Sequence, residues 1–82
     1  MSRIYKLPLV LEPQPEGGYV VTGPLLPELI TEGDSVQDAL QNANDALAAI
    51  VEAFKELNQP GPPALQPAQE GTPIWVETIL AV

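Results

Sequence analysis

The feature that most constrains the fold is one long amphipathic helix, predicted for residues 35–57. Ser35 is a good N-cap residue and Asp38 follows in the first turn, while Asn58 and Pro60 end the helix. Apolar side chains recur at three- and four-residue steps, which places them on one face. These residues are Val36, Ala39, Leu40, Ala43, Leu47, Ile50, Val51, Phe54 and Leu57. Such a face requires a second apolar layer to cover it.

The sequence before the helix predicts three strands that supply this layer. Residues 4–12 alternate as a strand, in which Pro8 favours an edge position or a bulge. Residues 19–23 resume as a second strand, antiparallel to the first across a Gly-Gly turn. Residues 29–32 form a short third strand that leads into the helix.

The sequence after the helix divides into two parts. Residues 58–73 are rich in proline and are predicted to be an extended tether without a regular element. Residues 74–82 alternate as a C-terminal strand that is apolar on both faces. This strand either joins its own sheet centrally or meets another subunit, because an unpaired apolar strand promotes aggregation. The second possibility predicts a homo-oligomer, dimer or tetramer, with an interface at Trp75, Glu77 and Ile79.

The predicted order is therefore β–β–β–α–β, which is an α+β fold of two layers. At 82 residues the chain is one domain, residues 1–82, with a core at residues 4–57. No stretch approaches the about 20 apolar residues of a membrane span, so we expect a cytoplasmic protein without a membrane partner.

The composition narrows the functional classes. Eleven acidic residues against three basic ones give a net charge of −8. This charge disfavours direct nucleic-acid binding and suits a basic protein partner. The sequence contains no histidine and no cysteine, and strand spacing forces no set of carboxylates together. We therefore expect no enzyme activity, no catalytic residues, no metal site and no cofactor.

Several short motifs follow one another between residues 16 and 39. Residues 16–19 are Glu-Gly-Gly-Tyr, residues 26–27 are Leu-Pro, residues 33–35 are Gly-Asp-Ser, and residues 38–39 are Asp-Ala. In this order and spacing the motifs resemble those of the HicB-like antitoxin family, also described as an uncharacterised small-protein family. The resemblance continues through the Ala-, Asn- and Leu-rich helix.

This resemblance implies a partial ribonuclease-H-like fold, in agreement with the predicted β–β–β–α–β order. It also implies an antitoxin that binds a small basic HicA-like toxin, a messenger-RNA-cleaving enzyme, and covers its active site and RNA surface. We expect partner contacts at the acidic and apolar edge formed by Leu25, Leu26, Glu28 and Glu32. The two leucines are alternatively a plug at the end of the core. The alternative function is a standalone oligomeric binding or assembly module of unknown ligand, without a toxin.

Two features depart from the family pattern. The family often has glycine after its Leu-Pro turn, whereas this chain has Glu28, which predicts a different turn geometry. Many members continue into a DNA-binding segment, and residues 58–82 contain no basic helix. We therefore expect no DNA-binding domain and no direct operator binding.

Overall fold

The computed structural model describes residues 4–63 and 65–78, which form one helix and five strands. The helix, α1, spans Val36–Glu56. The strands are β1 (Ile4–Lys6), β2 (Val10–Pro13), β3 (Tyr19–Gly23), β4 (Leu26–Gly33) and β5 (Gln66–Ala68). The chain is thus a small α+β fold with the order β–β–β–β–α–β, which confirms the predicted fold class and adds one strand to it.

Helix α1 begins and ends where the sequence predicts. The Ser35 side chain accepts a hydrogen bond from the Asp38 N–H at 3.1 Å, which satisfies one backbone donor of the first turn. Leu57 is the C-cap, and Asn58 follows with a φ of 54°. The residues that bury most deeply are Ala39 and Ala43, whose small side chains bring the helix backbone close to the sheet.

Replacing Ser35 with alanine tests this cap. We expect Ser35→Ala to lower the free energy of unfolding by about 1 kcal/mol, because the Asp38 N–H loses its acceptor. Urea denaturation followed by circular dichroism measures the change. Ser35→Asp is the matched control, since aspartate also caps, and it should stay within a few tenths of a kcal/mol. Equal stability of Ser35→Ala and the parent would show that the cap contributes nothing.

Strands β2, β3 and β4 form an antiparallel sheet in that order. Leu11 lies opposite Val21, and Val21 lies opposite Thr31. The β2–β3 hairpin confirms the predicted Gly-Gly connection, since Gly17 and Gly18 both adopt positive φ. Strand β4 is twice as long as predicted and extends back to Leu26, across an irregularity at Thr22/Gly23.

The core lies between this sheet and the helix. Val21 (0% exposed), Ala39 and Ala43 form its centre. Leu26 and Leu29 of β4 are also buried. Partly buried side chains surround the centre, namely Leu9, Leu11 and Tyr19. Burial of Leu26 supports the plug among the two roles predicted for it.

Three predictions about the two ends of the chain need correction. The first strand is split into β1 and β2, because residues 7–9, which include Pro8, leave the ladder. The prediction that residues 58–73 hold no regular element is wrong at β5, which pairs antiparallel with β1, and Leu65 just before β5 is 8% exposed. The strand predicted for residues 74–82 is not formed over residues 74–78, and residues 79–82 lie outside the described part.

Candidate protein-binding surface

The sheet presents one face to the helix and leaves the other open. Residues directly opposite each other in an antiparallel sheet share a face, and successive residues alternate between faces. Because Val21 is buried under the helix, its neighbours Val20 and Thr22 point to the other side. Thr22 lies opposite Val10 on one side and Ile30 on the other. The open face therefore has a row across all three strands in which Val10 and Ile30 flank Thr22.

Strand β4 is an edge of the three-stranded sheet and carries acidic residues on this open face. Ile30 lies opposite Thr22 and Glu32 lies opposite Val20, so both lie on the open face. Glu28, two residues before Ile30, is exposed in the irregular part of the strand. Ile30 is 67% exposed, and Glu32 is also exposed. We call Glu28, Ile30 and Glu32 the acidic β4 face. This surface combines exposed apolar area with negative charge, which is complementary to a basic surface.

The predicted partner-binding residues fall into two groups. Glu28 and Glu32 lie on the acidic β4 face, and Leu25 is 55% exposed just before β4. Leu26, in contrast, is 3% exposed and belongs to the core. Ile30 is not among the contact residues predicted from the sequence, although it alternates with the buried Leu29 within one strand and is 67% exposed.

The end of β4 is tied to the helix by a side chain. Asn42 Nδ2 of α1 donates a hydrogen bond of 2.7 Å to the backbone carbonyl of Glu32. A shallow polar depression beside this contact is lined by Glu32, Gly33, Asp34, Asp38, Gln41 and Asn42. Within residues 4–63 and 65–78, no group of three or more histidine, cysteine or acidic side chains is placed to hold a metal ion.

The hairpin, β4 and the helix meet at three small residues, which are Gly18, Gly33 and Ala39. A Cβ added at Gly18 would lie 2.9 Å from the carbonyl oxygen of Gly33. A Cβ added at Gly33 would lie 2.7 Å from the backbone carbon of Asp38 and 2.6 Å from the Cα of Ala39. Ordinary contacts of a Cβ are longer than 3.4 Å, so a larger residue at Gly33 requires the helix to move. The same three residues orient the acidic β4 face relative to α1.

A second exposed surface lies near the C-terminus. Residues 74–78, here called the tail, have no regular structure, and Ile74, Trp75 and Val76 are 86%, 96% and 84% exposed. Trp75 and Glu77, predicted at an oligomer interface, are part of this tail. Ile79, the third predicted residue, lies outside the described part. In the described residues no helix has the length and apolar character to cross a membrane.

Together these features define a small two-layer α+β module with one acidic edge and one apolar tail. No protein-family model matches the chain, but comparison with curated proteins finds relatives. The chain is 44% identical over 61 residues to Antitoxin HicB 1 of Photorhabdus laumondii, covering 70% of this chain and 39% of the relative. It is 39% identical over 54 residues to Antitoxin HicB of Escherichia coli strain K12, covering 66% of this chain and 39% of the relative.

The chain therefore spans about two fifths of the length of these antitoxins. It covers more of a shorter relative, a UPF0150 protein of Synechocystis, to which it is 32% identical over 61 residues, or 74% of this chain and 77% of the relative. The chain belongs to the HicB-like antitoxin family, which includes such UPF0150 proteins. This confirms the resemblance identified from residues 16–39.

Proposed function

We propose that this protein is the antitoxin of a toxin–antitoxin pair and neutralises a small basic HicA-like toxin that cleaves messenger RNA. Kinship with proteins named Antitoxin HicB supports the antitoxin role. The observation that carries the choice of surface is the acidic β4 face, where Glu28 and Glu32 flank the exposed Ile30. A binding role of this kind requires no catalytic group, and we expect the protein to act in the cytoplasm with its partner.

The charges on β4 favour a basic partner over a second copy of the chain. Glu28 and Glu32 stand two residues on either side of Ile30. If two β4 edges paired antiparallel about Ile30, Glu28 of one copy would lie opposite Glu32 of the other. Like charges in directly opposite positions destabilise a sheet. Lysine or arginine side chains of a basic protein would instead form complementary pairs at both positions.

Neutralisation follows from the chemistry of the proposed partner. A protein that cleaves RNA must offer cationic side chains to the phosphate backbone. Carboxylates at Glu28 and Glu32 would occupy those cations, while Ile30 and the nearby Leu25 would exclude water from the centre of the contact. The net charge of −8 would accelerate association by electrostatic steering. We therefore expect the complex to weaken as salt is added.

Charge reversal on β4 tests the proposal. We expect the double variant Glu28→Lys, Glu32→Lys to bind the basic protein encoded beside this gene about 100-fold more weakly, because two attractive contacts become repulsive. Isothermal titration calorimetry at low salt measures the affinity. Growth of cells that express the toxin together with each variant provides the functional result.

The matched control is the double variant Glu52→Lys, Glu56→Lys on the exposed surface of α1, which changes the net charge by the same amount. It should retain most of the affinity. Equal weakening by both double variants would contradict the assignment to β4 and leave only a general effect of charge. If the adjacent gene encodes no basic protein and none is captured at low salt, the antitoxin proposal itself fails.

The alternative, an assembly module without a toxin, is favoured by the exposed tail alone. The two proposals differ in their response to salt. A toxin complex held by charge should weaken with salt, whereas self-association of an acidic chain through apolar side chains should strengthen.

A further inference from the structure

The tail leaves the domain at a defined point. The Thr72 N–H donates to the carbonyl of Gln69 at 2.9 Å, and the Thr72 side chain accepts from the Gln69 N–H at 2.8 Å. Beyond this turn, Ile74, Trp75 and Val76 are almost fully exposed. Three consecutive large apolar residues with so little cover form a patch typical of an interaction site. Within its own chain the tail contacts too little to bury them.

Strand β1 offers an edge of matching length and character. It pairs only with β5 among the described strands, and each of the two has three residues. A two-stranded sheet of this size is marginal in water, and a third strand adds stability. Ile4 and Tyr5 of β1 are 44% and 40% exposed, so apolar surface already lies at this edge. Within residues 4–63 and 65–78, therefore, no strand pairs with the second edge of β1, and the tail pairs with no sheet.

The charges of the tail and of β1 are also complementary. Glu77 is the only charged residue of the tail, and Lys6 is the only charged residue of β1. The described sheets have three other edges. Strands β2 and β4 carry Glu12, Glu28 and Glu32 and would repel Glu77, and β5 has no cation and contains Pro67, which has no N–H to donate to a further strand. A tail that adds to an edge strand thus has a favourable charge contact at β1 and an unfavourable one at β4.

We propose that the tail of one copy adds as a strand to the free edge of β1 of a second copy, and that the exchange is reciprocal. Residues 73–78 extended reach roughly 20 Å, enough to cross to a neighbour. A tryptophan alone buries about 150–250 Å². Together with Ile74, Val76 and the partner surface that they cover, two exchanged tails bury more than the about 1,000 Å² of total surface that a specific interface requires. Reciprocal exchange closes a two-fold dimer and leaves both acidic β4 faces open for a partner.

Removing the tryptophan tests the contact. The full chain should show twice its 8.7 kDa mass by light scattering coupled to gel filtration, and the dimer should strengthen as salt screens the net charge. Trp75→Ser should raise the dimer dissociation constant at least 100-fold, because tryptophan is a frequent hot-spot residue. Leu57→Ser, which removes a different exposed apolar side chain at the end of α1, is the control and should leave the mass unchanged.

A charge exchange tests which edge receives the tail. Lys6→Glu alone and Glu77→Lys alone should each weaken the dimer about tenfold, since two symmetric pairs become repulsive. The combination of both substitutions should restore the affinity of the parent. Restoration requires that the two side chains meet, which a general loss of stability cannot imitate.

Three outcomes would overturn the proposal. They are a monomeric mass at all protein and salt concentrations, a dimer that survives Trp75→Ser unchanged, and a Lys6/Glu77 exchange without restoration. None of these bears on toxin binding, because the acidic β4 face is not part of the proposed dimer contact. A monomer that binds the toxin would reject the dimer alone, and a dimer that binds no toxin would reject the proposed function alone.

Discussion

Replacing Gly33 with alanine is expected to remove most of the folded protein, with a loss of about 3 kcal/mol or more in the free energy of unfolding. The added methyl group would overlap the backbone of Asp38 and Ala39, where α1 approaches the end of β4. Backbone atoms cannot rotate away as a flexible side chain can, so the helix must shift. A domain of this size has only a few kcal/mol of stability. Thermal unfolding followed by circular dichroism measures the loss.

Gly61→Ala is the matched control for this substitution. A Cβ at Gly61 would meet nothing within 4 Å, and Gly61 is exposed between two prolines. The free energy of unfolding of Gly61→Ala should therefore stay within about 0.5 kcal/mol of the parent value. If Gly33→Ala instead melts with the parent, the close approach of helix and strand does not exist in solution.

The position of Gly33 gives a physical reason for the motifs between residues 16 and 39. Gly18 closes the hairpin with a φ of 79° and lies against the carbonyl of Gly33. Gly33 in turn lies against the start of the helix at Ala39, which is fully buried. The hairpin, the edge strand and the helix thus meet through residues with almost no side chain. Sequence identifies the motif, and the structure shows that close backbone contact requires it.

Local signals predicted the parts of the fold that local forces determine. The bounds of α1 follow from the apolar period and from the cap at Ser35, both of which depend on residues within a few positions. The β2–β3 hairpin follows from Gly17 and Gly18, whose positive φ the turn requires. These elements need no information from distant residues, which is why the sequence alone placed them.

The elements that sequence analysis missed depend on distant pairing. Strand β5 is short, contains Pro67 and exists through its register with β1 about sixty residues earlier. Periodicity within residues 58–73 contains no trace of that partner. Strand β4 likewise begins at Leu26 because Leu26 pairs with Gly23 across an irregular step, which leaves Leu25 exposed and Leu26 buried. For the same reason the sequence could not choose between the two leucines as contact residues.

Leu29→Ala is expected to lower the free energy of unfolding by about 3 kcal/mol, because Leu29 is 1% exposed and its loss leaves a cavity in the core. The adjacent Ile30→Ala is the matched control in the same strand. Because Ile30 is 67% exposed, the free energy of unfolding of Ile30→Ala should fall by less than about 1 kcal/mol. Urea denaturation of both variants measures the difference.

Binding is expected to show the opposite order. Ile30→Ala removes the apolar centre of the acidic β4 face and should weaken the proposed toxin complex about tenfold. Leu29→Ala should keep the parent affinity under conditions where it is folded, since Leu29 faces the core. Calorimetry at low temperature provides both affinities. If Leu29→Ala lowers mainly stability and Ile30→Ala lowers mainly affinity, then β4 supports the core with one face and recognises a partner with the other. Loss of affinity in Leu29→Ala alone would place the partner elsewhere.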